Sequence, residues 1–335
     1  MIRFSKFLLL LLITLVAGGG SASAEDIFIE RPNQDSGPTV VWFVAYIVDI
    51  HAISSSDQSF TANVFYRLYW QDKALADPTG KKRVLPLEEV WHPHLQMINQ
   101  LKVWETLPKQ VEVSPDGKVQ YQQRVWGNFS QPLDLHEFPL DRQSFAIQLV
   151  AIGASTSDVQ LLHDPNQSSG IASRLSLSGW KPLGMEAVSA TYAPLPHLPP
   201  RAGFVIRFDA ERKVGYYLLK IVLPLMIIVM MSWLVFWINP TQAGVQISVS
   251  VTSMLTLIAY RFMISGFLPS ISYLTRLDKL VLGATIMVFA SLIEVIYAAN
   301  LAYRDEVERA LSVDRKSRVL FPTVFILLVV ATLVI

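Results

Sequence analysis

The chain has 335 residues, 52% of them hydrophobic and 16% charged, against about 25% charged in ordinary soluble domains, so a wholly soluble protein is excluded as the first expectation. A net charge of +1 without a Lys/Arg-rich tail gives no footing for nucleic acid. No nucleophile elbow, P-loop, zinc-protease helix or Gly-rich dinucleotide turn marks an enzyme.

The first residues carry the marks of a secretory leader. Arg3 and Lys6 form a basic start, Phe7 to Ala17 a short apolar core, and Ala22-Ser23-Ala24 a small-residue cleavage site. Residues 1–24 are therefore expected to be removed near Glu25, because the apolar run is too short to cross about 30 Å of hydrocarbon. The segment that follows would lie outside the cytoplasm. With no cysteine in the chain, it must hold together by core packing alone.

Residues 25–213 read as a β domain. Val40 to Ile53, Ala62 to Trp70, Val119 to Trp126, Ser144 to Ile152 and Gly203 to Phe208 are β-type runs. Turn clusters such as Asp77-Pro78-Thr79-Gly80 and Ser114-Pro115-Asp116-Gly117 separate them, which predicts a sandwich of immunoglobulin-like type. Tyr192 to Arg201 holds four prolines and is read as a loop between the last two strands.

Residues 214–335 read as a transmembrane domain with spans at about 216–238, 243–264, 279–302 and 318–335, and Glu294 is the one charge in the apolar core of these segments. Pro224 is expected to kink the first span, and Arg261 to snorkel or pair at the outward end of the second. Arg304, Arg309, Arg315, Lys316 and Arg318 follow the third span, so the positive-inside rule puts that linker in the cytoplasm and both the β domain and the C-terminus outside.

The second span is rich in hydroxyls. Ser248, Thr252, Leu255, Ala259 and Phe262 recur at intervals of four, three, four and three, along one helical face that is polar at the cytoplasmic end and apolar outward. Several copies around an axis would give hydroxyl rings for an ion and apolar rings that close by dewetting. The same hydroxyls would also serve if they only bonded across helices within one bundle. His92 and His94 form a pair on one side of an extended segment, but no further ligand accompanies them, and neither a metal nor another cofactor is expected.

The motifs together resemble those of bacterial pentameric ligand-gated ion channels, relatives of the Cys-loop receptors. Phe138-Pro139-Leu140-Asp141-Arg142-Gln143 is similar to the F-P-F-D-x-Q core of their signature loop, with Gln131 and Phe145 where animal members have the disulfide cysteines. Asn63-Val64-Phe65 to Trp70-Gln71-Asp72 resembles the family's N-V-x-x-x-x-x-W-x-D strand, and Trp91-His92-Pro93-His94 its W-x-P-D turn. Arg212 twelve residues before Pro224, Ser232-Trp233 to Phe236-Trp237, Leu255, and Leu268-Pro269 extend the likeness over nearly the whole mature chain.

The resemblance implies a homopentamer in the bacterial cytoplasmic membrane, conducting monovalent ions through a pore lined by Ser248, Thr252, Leu255, Ala259 and Phe262. It places a small-molecule agonist between adjacent β domains, with Phe65, Tyr121 and Tyr192 as candidate contacts. Protons are the alternative stimulus. Coupling falls to the loop at Ser56-Asp57-Gln58, to Phe138, Pro139 and Asp141, to Arg212 and to the Pro269-to-Tyr273 link; Asp57, Asp141 and Arg212 are expected to form one ion cluster. Ile98 and Ile152 stand where amine-gated members carry aromatics, so an amine cage is incomplete. Ala243-Gly244-Val245-Gln246 matches neither the acidic ring of cation channels nor the Pro-Ala-Arg of anion channels, and cations are favoured on the outer pore residues. An anion-selective channel of the same family and a non-conducting ligand-sensing membrane receptor are the other readings; the short Arg304 to Arg318 segment speaks against the receptor.

Overall fold

A computed structural model describes residues 29–193, 196–267 and 270–333 of the chain. The expected leader 1–24 and the Leu268-Pro269 motif lie outside the described residues.

Twelve strands build the first domain: β1 (Thr39–Ser54), β2 (Ser59–Gln71), β3 (Arg83–Pro86), β4 (Leu95–Met97), β5 (Gln100–Glu105), β6 (Gln110–Val113), β7 (Lys118–Ser130), β8 (Arg142–Ala151), β9 (Val159–His163), β10 (Gly170–Ile171), β11 (Trp180–Tyr192) and β12 (Arg201–Arg212). They form two sheets. The larger has eight strands, with β10-β1-β2-β7-β6-β3 in order, β5 also on β7 and β9 also on β1; the smaller runs β11-β12-β8-β4. Strict alternation drives this, since every second residue of β2 from Phe60 to Trp70 is buried while its neighbours face outward.

Aromatic rings fill the space between the sheets. Phe43 of β1 stacks on Phe204 of β12 at 4.2 Å, and Phe60 of β2 meets Phe145 and Phe208 of the opposite sheet at 5.3 and 5.5 Å. Each fully buried ring contributes about 1.5–3 kcal/mol by leaving water, and this packing holds the sandwich without disulfides. Where the family's cysteines would stand, Phe145 belongs to that core and the Gln131 side-chain carbonyl accepts the Ala146 amide at 3.2 Å.

Four helices long and apolar enough to cross a membrane follow: α1 (Gly215–Trp237), α2 (Pro240–Ile264), α3 (Arg276–Tyr303) and α4 (Val307–Leu333). The fourth begins eleven residues ahead of the expected span, because its first turns, Val307 to Arg318, are amphipathic rather than apolar. Pro224 does not break α1. A π-helical turn at Leu218–Val222 directly precedes it, and the Ile221 carbonyl is taken by the Tyr260 hydroxyl of α2 at 2.5 Å. Gly283 of α3 lies against the Leu328 side chain of α4, a close approach of the kind small residues permit between membrane helices.

Candidate functional site

The sandwich and the bundle meet around Arg212, the last residue of β12. Its guanidinium donates to both Asp141 oxygens, from Nε to Oδ1 at 2.6 Å and from Nη2 to Oδ2 at 3.0 Å. Nη2 also reaches the Ser55 hydroxyl and Nη1 the Tyr217 hydroxyl, each at 3.0 Å. The cation lies 4.0 Å from the Trp180 ring centre and 4.7 Å from that of Phe138, which is fully buried beside Pro139. Both charged side chains are no more than 3% exposed. One guanidinium thus gathers the β1–β2 turn, the loop after β7, the smaller sheet and the start of α1. A buried pair so fully hydrogen-bonded is stable only as a unit, which makes it a joint rather than a surface ornament.

Asp57 stands outside this cluster, contrary to the sequence expectation. Its carboxyl accepts the Ser54 hydroxyl at 2.7 Å and its amide donates back to Ser54, so a local turn has claimed it. Gln58 next to it carries the link instead: its side-chain oxygen accepts the Leu133 amide at 2.6 Å, and its carbonyl accepts the Gln131 amide at 2.8 Å.

The loop from Gln131 to Asp141 then caps α3. An α-helix leaves its first amides without partners, and here the Arg276 amide donates to the His136 carbonyl at 3.1 Å and the Leu277 amide to that of Phe138 at 3.2 Å. Thr275 and Asp278 complete the turn as a capping box. The Leu135 amide donates to the Tyr273 hydroxyl at 3.0 Å, and Glu137 pairs with Arg276. Gln58 belongs to the coupling loop expected from the sequence, whereas Ser55, His136 and Tyr217 were not legible as coupling residues, because each acquires its role from a partner distant in sequence.

On α2 the structure separates two sets of hydroxyls. Ser248, Thr252, Leu255, Ala259 and Phe262 all lie on the exposed face of the subunit, Leu255 at 62% and Phe262 at 78%. Gln246, Ser250, Ser253, Leu257 and Tyr260 are buried against the bundle. Ser248 and Thr252 donate to the carbonyls of Gly244 and Ser248 at 2.7 and 2.8 Å, so their protons are engaged within the helix and their lone pairs face outward. Gln246 donates to the Val235 and Ile238 carbonyls at 3.2 and 2.9 Å, tying the foot of α2 to the end of α1. Near the same end, Glu294 of α3 faces Asp314 and Ser317 of α4, and Arg318 donates to the Phe236 carbonyl at 3.0 Å.

The candidate ligand contacts are not brought together within one subunit. Phe65 lies on the outer face of the larger sheet with the Arg67 guanidinium 5.9 Å away, and Tyr192 ends β11 beside the proline-rich loop. Tyr121 is a correction: it points inward, 7% exposed, where its hydroxyl accepts from Gln123 at 3.2 Å and burial raises its pKa. It shares with Tyr66, His92, His94, Glu105 and Lys109 a cleft of about 130 Å³ that opens to solvent beside the exposed His94, Glu105 and Lys109. There the two imidazoles stand 3.9 Å apart, and burial lowers the pKa of His92, favouring its neutral form.

A β-sandwich whose buried Arg212–Asp141 pair also reaches the Tyr217 hydroxyl in the first of four membrane-length helices, one of them bearing hydroxyls on its exposed face, has the build of a receptor channel subunit. Two family models match the chain in succession, the neurotransmitter-gated ion-channel ligand binding domain over residues 28–193 and the neurotransmitter-gated ion-channel transmembrane region over residues 221–319. The chain belongs to this family of pentameric ligand-gated ion channels, and it is a membrane protein. Among its curated relatives is a proton-gated ion channel of Gloeobacter violaceus, 28% identical over 317 residues that cover 90% of this chain and 85% of the relative.

Proposed function

We propose that the chain is one subunit of a homopentameric channel of the bacterial cytoplasmic membrane, opened by protons and conducting small cations through a pore lined by α2. The observation that carries the proposal is the division of α2 into a packed face and an exposed one. Ser248 and Thr252 sit on the exposed face in register with Leu255 and Phe262, and a run of hydroxyls facing out of the bundle suits water rather than the lipid that would cover a purely apolar face. Copies arranged about an axis would turn that stripe into rings. Leu255, Ala259 and Phe262 would then form a constriction that closes by dewetting, and Ser248 and Thr252 would replace part of an ion's hydration.

Back-bonding of the hydroxyls supports cations over anions. Their hydrogens point to helix carbonyls, which leaves the negative ends of the O–H dipoles toward the axis. Proton gating rests on the Gloeobacter relative. The excess of Arg and Lys between α3 and the middle of α4 supports a cytoplasmic position for that end, with the β domain and C-terminus on the other side. Residues 1–24 would be the cleaved leader, 25–213 the sensing domain and 214–335 the conducting one.

An agonist would bind between Phe65 of one sandwich and Tyr192 of the next and act by preferring the open arrangement. Reconstitution in liposomes under a pH step tests the reading: current is expected on acidification, with a reversal potential that follows the cation gradient. A reversal potential following chloride would replace cations with anions. Silence at every pH, with Leu255→Ala also silent, would remove the channel.

A further inference from the structure

Among the contacts across the domain junction, one has a titratable ring at its centre. His136 lies flat on Tyr273, ring centres 3.8 Å apart and planes within 9°. Its Nδ1 is 2.6 Å from Asp134 Oδ1, and the same oxygen accepts the His136 amide at 3.1 Å. These two bonds hold the Asp134 carboxyl below the usual carboxylate range. A carboxylate at Nδ1 fixes the tautomer, with the proton on that nitrogen, so the next proton must enter at Nε2. The imidazolium so formed is held by an anion at its edge and an electron-rich ring at its face.

Charged groups lie on the elements packed here. The loop itself contributes Asp134 and Glu137, and the start of α3 contributes Arg276 and Asp278. Glu137 and Arg276 pair with each other, and Asp278 is spent in the capping box, which leaves Asp134 as the nearest anion to the ring. Tyr273 is not a bystander, since its hydroxyl accepts the Leu135 amide and so carries the loop on the same ring that faces the imidazole.

We propose that His136 is a proton-binding site of the domain junction, at which acidification tightens the hold of the Gln131-to-Asp141 loop on the Tyr273 link and the first turn of α3. Resting on the reading of the chain as a proton-gated channel, this names where one of the gating protons binds. Histidine is the side chain whose ordinary charge change falls between about pH 5 and 8, the range an acid-opened channel has to sense. A cation–π contact at a partly exposed site favours the protonated junction by a factor of about two to five.

The test uses the full-length protein in liposomes, with hydrogen exchange read alongside current. In the wild type, protection of the Leu135 and Arg276 amides, referenced to β2 amides in the same sample, is expected to rise about two- to fivefold between pH 7.5 and pH 5. His136→Phe keeps the stack but cannot take a proton, and His136→Gln keeps a bond to Asp134 without the charge. Both should abolish the rise and displace half-activation by about 0.4–0.7 pH unit. His136→Lys should show high protection at both pH values. Protection that is independent of pH in the wild type, or that rises equally in His136→Phe, overturns the proposal whether or not current flows. A wild type that shows the rise but passes no current at any pH supports the site and instead removes proton gating from the proposed function.

Discussion

Asp141→Asn is the sharpest perturbation of the joint between the domains. The carboxylate holds Arg212 by two bonds of 2.6 and 3.0 Å and accepts a third from Gln143 Nε2 at 2.8 Å. Either orientation of an asparagine amide turns its NH₂ toward a donor. On the Oδ2 side it meets Gln143 and Arg212 Nη2; on the Oδ1 side it meets Arg212 Nε. The guanidinium, 5% exposed as a residue, is left under the Trp180 and Phe138 rings with its charge uncompensated. Breaking a buried pair in this way costs about 3–5 kcal/mol.

A control is built into β11 and β12. Arg207 and Glu186 stand at the same 2.6 Å separation with side chains 45% and 54% exposed, and removing an exposed pair costs about 0–1 kcal/mol. Asp141→Asn should therefore raise exchange at the Arg212 amide, which bonds the Asp141 carbonyl at 3.2 Å, by orders of magnitude, whereas Glu186→Gln should leave it nearly unchanged. Adding Arg212→Met to Asp141→Asn should restore most of the protection, since the double variant strands no charge. If the two single variants cost the same, or if the double variant is no better than Asp141→Asn, the buried pair is not what holds the junction.

The remaining expectations concern the helices and the sandwich edge. Leu255→Ala removes a side chain that is 62% exposed in the subunit, so the protein should assemble normally while the standing current at neutral pH rises; an unchanged leak would count against Leu255 as a gate. Gly283→Leu drives a side chain into Leu328, which should cost about 1–3 kcal/mol of α3–α4 packing, seen as a lower melting temperature in detergent. At the sandwich edge, burial pushes the Asp49 pKa up, but bonds from Ser176 at 2.7 Å, with His51 and the Ile50 amide, outweigh it and leave the pKa lowered. The sign follows: this tether is fully present above the ordinary carboxylate value of about 3.9 and is lost as pH falls through the depressed one. Exchange at the Ser176 amide should accelerate there, and Asp49→Asn should show fast exchange at every pH.

What could be read in advance followed from how local each determinant is. β1, β2, β7, β8 and β12 announce themselves because alternate residues enter one core, and the exposed stripe of α2 announces itself because four-three spacing marks one helical face. β11 is largely exposed along its length, so its alternation is faint and its partner β12 defines it. The first turns of α4 were missed since hydropathy cannot see a helix that begins polar. Tyr121 is readable in principle, since it shares parity with Val119 and Val125, both buried. Asp57 went astray because Ser54 lies three residues away, and a short-range bond claims a carboxylate before a distant cation can. His136 carried no signal at all, because its partner Tyr273 stands far away in sequence, on the other side of the domain junction.

The π turn in α1 gives the pore helix a toothed neighbour. The Ile221 carbonyl of that turn accepts the Tyr260 hydroxyl from the buried side of α2, away from the exposed Leu255. Leu255 and Tyr260 are fixed on one helix, so a rotation of α2 that moved the leucine away from the proposed pore axis would also draw the tyrosine hydroxyl from the Ile221 carbonyl. In the proposed pentamer, rotation of α2 would therefore act on a single backbone carbonyl of the helix whose first turn Arg212 holds through Tyr217, and a twist begun at the domain junction would have a mechanical path to Leu255.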